Sequence, residues 1–395
     1  MLNDKLTINQ AFTISRLPQI IFGKGEFKKL ANEIATIGNR ALIVTGSQSF
    51  IETQQWKTLQ SDLFNLDITW SLVKISGEPN PEEIDLIVQN YKDTGFDVVV
   101  GIGGGSPLDA AKAIAGLMLT GNSIMDFLEG VGRGLIYTGP GLPLIAVPTT
   151  AGTGSEMTKN AVISSLNEKF KKSFRSDQLT AQVAIIDPEL LQHCPRKQMV
   201  ANAMDSFTQL LESYTSPRHN PITDALALSG ISYFLEGFSQ QEEGDLIGLE
   251  FLAYGSMLSG ICLAQTGLGA VHGLASPLGA HLPIPHGIAC GTTLAAVTET
   301  NIRALQSRQP DSYALARYET IGRLMSHVSE PNPLEKLIGT LWHWTNMLAL
   351  PKLGDFGLTK NNIEDIVRES GGNSMKTNPI TLSNQELTNI LLTRL

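Results

Sequence analysis

The sequence has few cysteines, little charge and no apolar run of membrane-spanning length. Cys194, Cys262 and Cys290 are odd in number and show no C-x-x-C spacing, which argues against a disulfide framework and favours a reducing cytoplasm. Charged residues make up only 17% of the chain against 42% hydrophobic residues, which argues against disorder. The formal charge of −9 argues against a nucleic-acid partner. The first residues lack the pattern of a signal peptide. Since no apolar run approaches the length of a membrane span, we also expect no membrane partner.

The 395 residues are enough for two or three domains. Strand-like and helix-like segments alternate between residues 20 and 190, which predicts a mostly parallel sheet covered by helices on both faces. The predicted strands lie at 41–45, 72–75, 98–102, 144–147 and 183–186, with a helix at 82–93. After Asp187 the apolar spacing becomes helical, in the stretches 197–214, 221–236 and 249–266. We therefore predict an α/β domain over 1–187 and a helical domain over 188–395.

The most informative stretch is DVVVGIGGGSPLDAAK, residues 97–112, a buried strand followed by a glycine turn and a helix start. Ser106 suits the N-cap, Pro107 the first helical position, and Asp109 the third position of a capping pair. Such a helix N-terminus, lined by glycines, is typical of a phosphate-binding site. A plain strand-to-helix turn remains the alternative, because glycine-rich turns are common and GGGS is neither the G-x-G-x-x-G motif nor a P-loop.

The second stretch, VPTTAGTGSEMT at 147–158, follows another predicted strand and concentrates hydroxyls and glycines. These groups suit the phosphates, ribose or amide of a cofactor, although a polar surface loop has the same composition. Because ligands bind beyond the carboxyl ends of parallel strands, we expect this turn, the Gly46 turn and the glycine turn to converge.

Two stretches of the helical half carry metal-binding residue types. Asp205, Gln209 and Glu212 share one helix face, although this pattern alone is also that of a solvated face. Three of the seven histidines lie in GAVHGLASPLGAHLPIPHG, residues 269–287. Imidazole nitrogens together with a carboxylate oxygen form a standard Zn²⁺ or Fe²⁺ site, although isolated histidines are more often ordinary core residues.

Taken in order, four motifs resemble the signatures of the iron-containing (group III) alcohol dehydrogenase family. They are GGGSPLDAAKAIA, AVPTTAGTGSEMT, ANAMDSFTQLLESYTSPRHNPITDALAL and GAVHGLASPLGAHLPIPHG, and they span most of the chain. The resemblance implies a Rossmann-like dinucleotide-binding domain and an all-α domain, the fold shared with dehydroquinate synthases. It also implies hydride transfer between a nicotinamide and a small alcohol or aldehyde, and, by analogy, a homodimer.

The family holds its metal with one aspartate and three histidines. Asp205, His272 and His286 match three of these positions, and Gln209 stands at the fourth. A neutral glutamine oxygen is a weaker ligand than an imidazole nitrogen, so the resemblance allows either Fe²⁺ or Zn²⁺ as the metal. One alternative is the three-ligand zinc site of the glycerol dehydrogenase branch. Ser276 stands where many members have a histidine that relays the alcohol proton, and His281 is a candidate substitute.

The resemblance also assigns the cofactor cleft. The expected cofactor-binding residues are Gly46, Ser47, Asn80, Gly104, Gly105, Ser106, Asp109, Thr149, Thr150, Thr153, Thr158, Val162 and Lys171, with Asn160 near the substrate. The other cations between Lys169 and Arg175 suit a solvated hairpin face. Members that prefer NAD often carry an aspartate after the second strand, where this chain has Gly46 and Ser47, so we expect NADP(H) to be favoured over NAD(H).

Two alternatives to an active alcohol dehydrogenase follow from the same residues. A dehydroquinate synthase would need a lysine- and arginine-rich pocket, and the helical half shows no such run. A degenerate or metal-free relative that binds dinucleotide with little turnover is motivated by Gln209 and Ser276.

Overall fold

In the computed structural model, which describes residues 11–240, 246–326 and 331–395, the first half of the chain folds around a parallel sheet. The strands of this sheet, in chain order, are β1 (Gln19–Phe22), β2 (Arg40–Gly46), β3 (Thr69–Ile75), β4 (Val98–Gly103), β5 (Leu144–Pro148) and β8 (Val183–Ile186). Between β5 and β8, the strands β6 (Asn160–Ser165) and β7 (Phe170–Arg175) form a separate antiparallel hairpin. The predicted strands are confirmed, and β3 begins three residues earlier than expected.

The sheet has the order β1-β8-β5-β4-β2-β3, with every pairing parallel. Its central strands are buried on both faces: Leu42 and Val44 pack into one apolar cluster, and Ile43 between them packs into another. This double burial explains the continuous apolar runs in the sequence. From β2 the chain adds β3 on one side and β4 on the other, so the crevice at a reversal of strand order lies between the ends of β2 and β4.

Helices flank the sheet and make up the second half. The helices before β8 are α1 (Leu30–Ile37), α2 (Gln54–Asn65), α3 (Pro81–Tyr91) and α4 (Gly105–Leu117). Those after β8 are α5 (Arg196–Thr215), α6 (Pro221–Gln240), α7 (Leu246–Thr266), α8 (Ala270–His281), α9 (His286–Arg308), α10 (Tyr313–Leu324), α11 (Pro333–Met347), α12 (Ile363–Glu369) and α13 (Asn384–Thr393). The three stretches predicted as helical correspond to α5, α6 and α7. The described strands all precede residue 187, and the domain boundary at that residue stays a prediction.

The start of α4 differs from the prediction. Gly104 is the N-cap and α4 begins at Gly105, so Ser106 and Pro107 lie inside the first turn. No side chain caps this helix, and the Asp109 carboxylate bonds to other partners, so the predicted capping pair of Ser106 and Asp109 is wrong. The physical reason is that Gly104 is already extended and its carbonyl accepts from the Leu108 N–H, which closes the first helical turn two residues early.

The state of the cysteines and the lengths of the apolar helices concern the chain as a whole. All three cysteines lie in the described ranges and are free. Within those ranges no single helix meets the length and apolarity that a membrane span requires, and the one pair that does so jointly, Gly248–Thr266 with Ala270–His281, is bent by 96°.

Candidate metal and dinucleotide site

The glycine turn between β4 and α4 packs directly against the two neighbouring turns. Gly103 has φ +154°, and a Cβ placed there would lie 3.6 Å from the Gly46 nitrogen and only 2.7 Å from Pro107 Cγ. A Cβ on Gly105 would lie 2.8 Å from Thr153 Cγ2. Side chains at these positions would therefore block the approach of the turns, and the expected convergence at the carboxyl edge of the sheet is confirmed.

A buried lysine fixes the loop beneath this turn. Lys112 has no exposed surface, and its Nζ lies 3.3 Å from Asp109 Oδ1 and 2.7 Å from Ser155 Oγ. The same Nζ donates to Thr158 Oγ1 and to the Asn160 carbonyl, each at 2.8 Å. Burial lowers the pKa of Lys112, an effect that Asp109 opposes. The loop after β5 and the start of the hairpin are thereby tied to α4.

Several of the predicted cofactor residues lie at or shortly after the carboxyl ends of the parallel strands, and others lie on the hairpin. Asp109 is part of the buried lysine cluster, and its Oδ2 accepts from the Val162 N–H at 3.1 Å. The Thr149 N–H donates to the Gly103 carbonyl at 2.9 Å. Asn80 is the N-cap of α3, where its side chain accepts from the Glu83 N–H. Ser47 is exposed directly after β2. Their contacts with a nucleotide stay a prediction.

The polar face of α5 points into the helical core. Asp205, Gln209 and Glu212 are 1%, 3% and 6% exposed, so this face is not solvated. Glu212 Oε1 accepts from the Val271 N–H, and its Oε2 lies 2.7 Å from His272 Nδ1. The α5 carboxylates are thus directed at the start of α8.

Four donor atoms from α5, α8 and α9 lie within 4.8 Å of one another, on Asp205, His272, His286 and Cys290. Asp205 Oδ1 is 3.2 Å from His272 Nε2 and 3.9 Å from His286 Nε2. Cys290 Sγ is 3.6 Å and 3.7 Å from the same two nitrogens. Three of the four metal-ligand residues predicted from the sequence are therefore brought together, and a cysteine joins them.

The chemistry of this donor set fits a divalent ion. Glu212 Oε2 lies 2.7 Å from His272 Nδ1 and holds the ring with Nε2 directed at Asp205. Burial raises the pKa of Asp205, but the two histidines outweigh it and the pKa is lowered, so the carboxylate is charged. Burial lowers the pKa of His286, assisted by Lys171 and His272, so its imidazole is neutral, the form that binds metals.

Gln209 is bonded to α7. Its Oε1 lies 2.7 Å from Ser259 Oγ and accepts a hydrogen bond from that hydroxyl. An amide oxygen has two lone pairs, so the ligand role that the resemblance gives to Gln209 stays a prediction.

The two candidate proton-relay residues lie on different faces of α8. Ser276 follows His272 by four residues and shares its face, and its hydroxyl donates to the Lys171 carbonyl at 3.3 Å. His281 follows His272 by nine residues, about half a turn out of phase at 3.6 residues per turn. His281 Nε2 lies 2.7 Å from Glu369 Oε2 on α12, so it does not substitute for the missing histidine.

Lys171 lies on the β6–β7 hairpin, next to α8. Its side chain is 8% exposed and pairs with Glu78, which also accepts from Ser164. A Cβ on Gly279 of α8 would lie 3.4 Å from the Lys171 Cδ. Burial raises the pKa of Glu78, but the nearby Lys171 outweighs it and the pKa is lowered. Lys169 and Arg175 are exposed, whereas Lys171 as a whole residue is half-buried, and its contact with the cofactor stays a prediction.

Cys290 and Glu78 are the site residues that the sequence analysis missed. Cys290 follows His286 by four residues, the spacing that places two side chains on one helix face, so a signal was present. Glu78 gave no such signal, because its pairing with Lys171 depends on how the hairpin docks.

Two models of one protein family match nearly the whole chain. The family model described as "Iron-containing alcohol dehydrogenase" matches residues 18–188, and that for the C-terminal domain of the Fe-containing alcohol dehydrogenase family matches 199–395. Alcohol dehydrogenase 4 of Schizosaccharomyces pombe is 30% identical over 93% of this chain and 85% of its own length. The NAD-dependent methanol dehydrogenase of Bacillus methanolicus is 28% identical over 95% of this chain and 97% of its own. Sulfoacetaldehyde reductase from Bifidobacterium kashiwanohense, solved with NAD⁺, superposes with a TM-score of 0.84 at 26% identity, covering 98% of this chain and 99% of that one.

Proposed function

The chain belongs to the iron-containing alcohol dehydrogenase family, and on this premise we propose that it transfers hydride reversibly between a nicotinamide cofactor and a small alcohol or aldehyde. The proposal includes a divalent ion held by Asp205, His272 and His286. The observation that carries it is the convergence of their donor atoms, from three different helices, within 4.8 Å. Two relatives named for small substrates, a methanol dehydrogenase and a sulfoacetaldehyde reductase, support a small substrate.

When bound, the ion draws charge from the substrate oxygen and the nicotinamide supplies or accepts the hydride. The residues of the chain position these groups and exclude water. Asp205 offsets part of the charge of the ion, and Glu212 holds the His272 ring in one orientation. The glycine turn leaves backbone N–H groups of α4 free at the sheet edge, where a pyrophosphate would bind.

We propose that the alcohol proton leaves through Ser276 and water or the cofactor ribose. Ser276 lies on the His272 face of α8, and its oxygen is 3.3 Å from the Lys171 carbonyl. A hydroxyl can pass a proton only while it accepts another, so this route needs a second carrier.

We also propose that NADP(H) is favoured over NAD(H). The support is local: β2 ends at Gly46 and the exposed residue that follows is Ser47, so no carboxylate at this position repels a 2′-phosphate. The neighbouring sulfoacetaldehyde reductase was solved with NAD⁺, so both cofactors belong in the test.

The test is a panel of short alcohols and aldehydes assayed with NADPH and NADH, after chelation and after reloading with Fe²⁺, Zn²⁺ or no metal. We expect chelation to remove the activity and reloading to restore it. Glycerol oxidation that is fastest with Zn²⁺ would favour the polyol dehydrogenase alternative instead.

Asp205→Asn is the variant that tests the metal site, because it removes the charge and keeps the shape of the side chain. We expect it to lose the ion and at least about 100-fold in aldehyde reduction, equivalent to about 2.7 kcal/mol of transition-state stabilisation, while still binding NADPH. If the variant kept wild-type activity, metal-assisted hydride transfer would be the wrong mechanism. If it kept the ion but bound no NADPH, the assignment of the two sites would be wrong.

A further inference from the structure

We propose that Cys290 is the fourth protein ligand of the metal, in place of the histidine that family members carry at the Gln209 position. The ligand set of this chain is then one carboxylate, two imidazoles and one thiolate. Since thiolate ligands select zinc over harder ions, this set favours Zn²⁺ over Fe²⁺. The inference rests on the proposed function, since it concerns the ion of that same site.

Three of four donor-atom separations are close to those of a tetrahedral site, and the fourth, between Asp205 and His286, is longer. Bonds of about 2.3 Å to sulfur and about 2.0 Å to nitrogen or oxygen place sulfur about 3.5 Å from nitrogen, and nitrogen about 3.3 Å from oxygen. Cys290 Sγ lies 3.6 Å from His272 Nε2 and 3.7 Å from His286 Nε2. Asp205 Oδ1 lies 3.2 Å and 3.9 Å from the same nitrogens. The sulfur is therefore at the distance of a ligand from both imidazoles.

A second observation is the orientation of the His272 ring. Because Glu212 Oε2 lies 2.7 Å from His272 Nδ1, the ring is held with Nε2 directed into the cluster, and Nε2 is the nitrogen that would bind the ion. One S–H group can donate to only one atom, so a hydrogen bond accounts for at most one of the two contacts that Cys290 Sγ makes with the ring nitrogens. Cys262, the other buried cysteine, instead faces a single acceptor, the Thr223 carbonyl, at 3.6 Å.

Helix geometry accounts for the replacement. His286 and Cys290 are four residues apart on α9, as Asp205 and Gln209 are on α5, so each pair shares one helix face. The Gln209 oxygen accepts a hydrogen bond from the Ser259 hydroxyl, whereas Cys290 reaches the donor cluster from α9. On binding, the S–H bond breaks, a metal–sulfur bond forms and the proton passes to solvent.

The experiment is cobalt substitution of the full-length protein after removal of its metal. We expect one equivalent of Co²⁺ to give the near-ultraviolet charge-transfer band of a thiolate ligand. Cys290→Ala and Cys290→Ser remove this band and weaken Zn²⁺ binding by about 100-fold or more, since even partners that only orient a ligand are worth 10- to 100-fold. Cys262→Ala, which removes a buried cysteine outside the cluster, keeps both the band and the affinity.

The outcomes separate this inference from the proposed function. If wild-type protein binds Co²⁺ in an Asp205-dependent way but shows no thiolate band, or keeps the band in Cys290→Ala, the inference is wrong and the proposed function stands. If Co²⁺ binding does not depend on Asp205, the proposed metal site itself fails. Should the Cys290 variants not fold, the wild-type spectrum decides alone. Gln209→His in the Cys290→Ala background is expected to regain affinity without the band.

Discussion

The contact between Glu212 and His272 gives the sharpest test of how the chain prepares the metal site. Both carboxylate oxygens of Glu212 accept, one from the Val271 N–H and one from His272 Nδ1, each at 2.7 Å. Glu212→Gln keeps the shape but supplies one acceptor and one donor group. If the amide oxygen stays on Val271, the NH₂ group faces Nδ1 and moves the ring proton to Nε2, the atom that faces Asp205.

The expected result is a weaker metal site. Loss of a partner that orients a ligand costs about 10- to 100-fold in affinity, or about 1.4 to 2.7 kcal/mol. At ion concentrations far above both dissociation constants, the stabilisation of the fold by Zn²⁺ should fall by up to about 2.7 kcal/mol, because it follows the logarithm of the affinity. Competition with a chromogenic chelator measures the first quantity, and chemical denaturation with and without Zn²⁺ measures the second.

Glu369→Gln is the matched control. Glu369 Oε2 lies 2.7 Å from His281 Nε2, the same separation as in the Glu212 pair, but His281 is on the opposite face of α8 from the cluster. We expect this variant to bind Zn²⁺ like the wild type. Equal affinities for Glu212→Gln and the wild type would refute the orienting role, because the amide cannot satisfy both of its neighbours.

Two further predictions concern the cofactor edge and the loop behind it. Ser47→Asp should lower the NADPH-to-NADH ratio of kcat/KM by about 30-fold, since a carboxylate about 4 Å from a doubly charged phosphate costs about 2 kcal/mol in water; an unchanged ratio would place the 2′-phosphate elsewhere. Burial raises the pKa of Glu156 from 4.5 to about 7, so the folded state holds a proton that the unfolded state releases, and stability falls as pH rises between these values. Glu156→Gln should therefore stabilise the protein by about 3 kcal/mol at pH 8 and by less than about 1 kcal/mol at pH 5. Urea denaturation at both pH values, with Glu168→Gln at the exposed hairpin turn as control, checks this, and a gain independent of pH would contradict it.

The fold was predictable because its strongest signals are local. Residues 98–102 form a buried central strand, and a strand covered on both faces must be apolar throughout. The exact start of α4 was not predictable in the same way. Ser106 and Pro107 are good cap residues in general, but the backbone at Gly104 is set by the turn packed against Thr150 and Thr153, which lie far along the chain.

In the candidate site, too, some features follow from nearby residues in the sequence, and others depend on residues far apart in the chain. His281 could have been excluded from the sequence, because nine residues place it half a turn away from His272 whatever the rest of the fold does. Cys290 could have been included, because its spacing from His286 puts both on one face of α9. Lys171 and Glu78 are 93 residues apart, and only the docking of the hairpin on the sheet edge and on α8 joins them. Spacing along a helix therefore predicts which donors each helix presents on one face. The pairing of Lys171 with Glu78 depends on tertiary contacts that residue spacing does not predict.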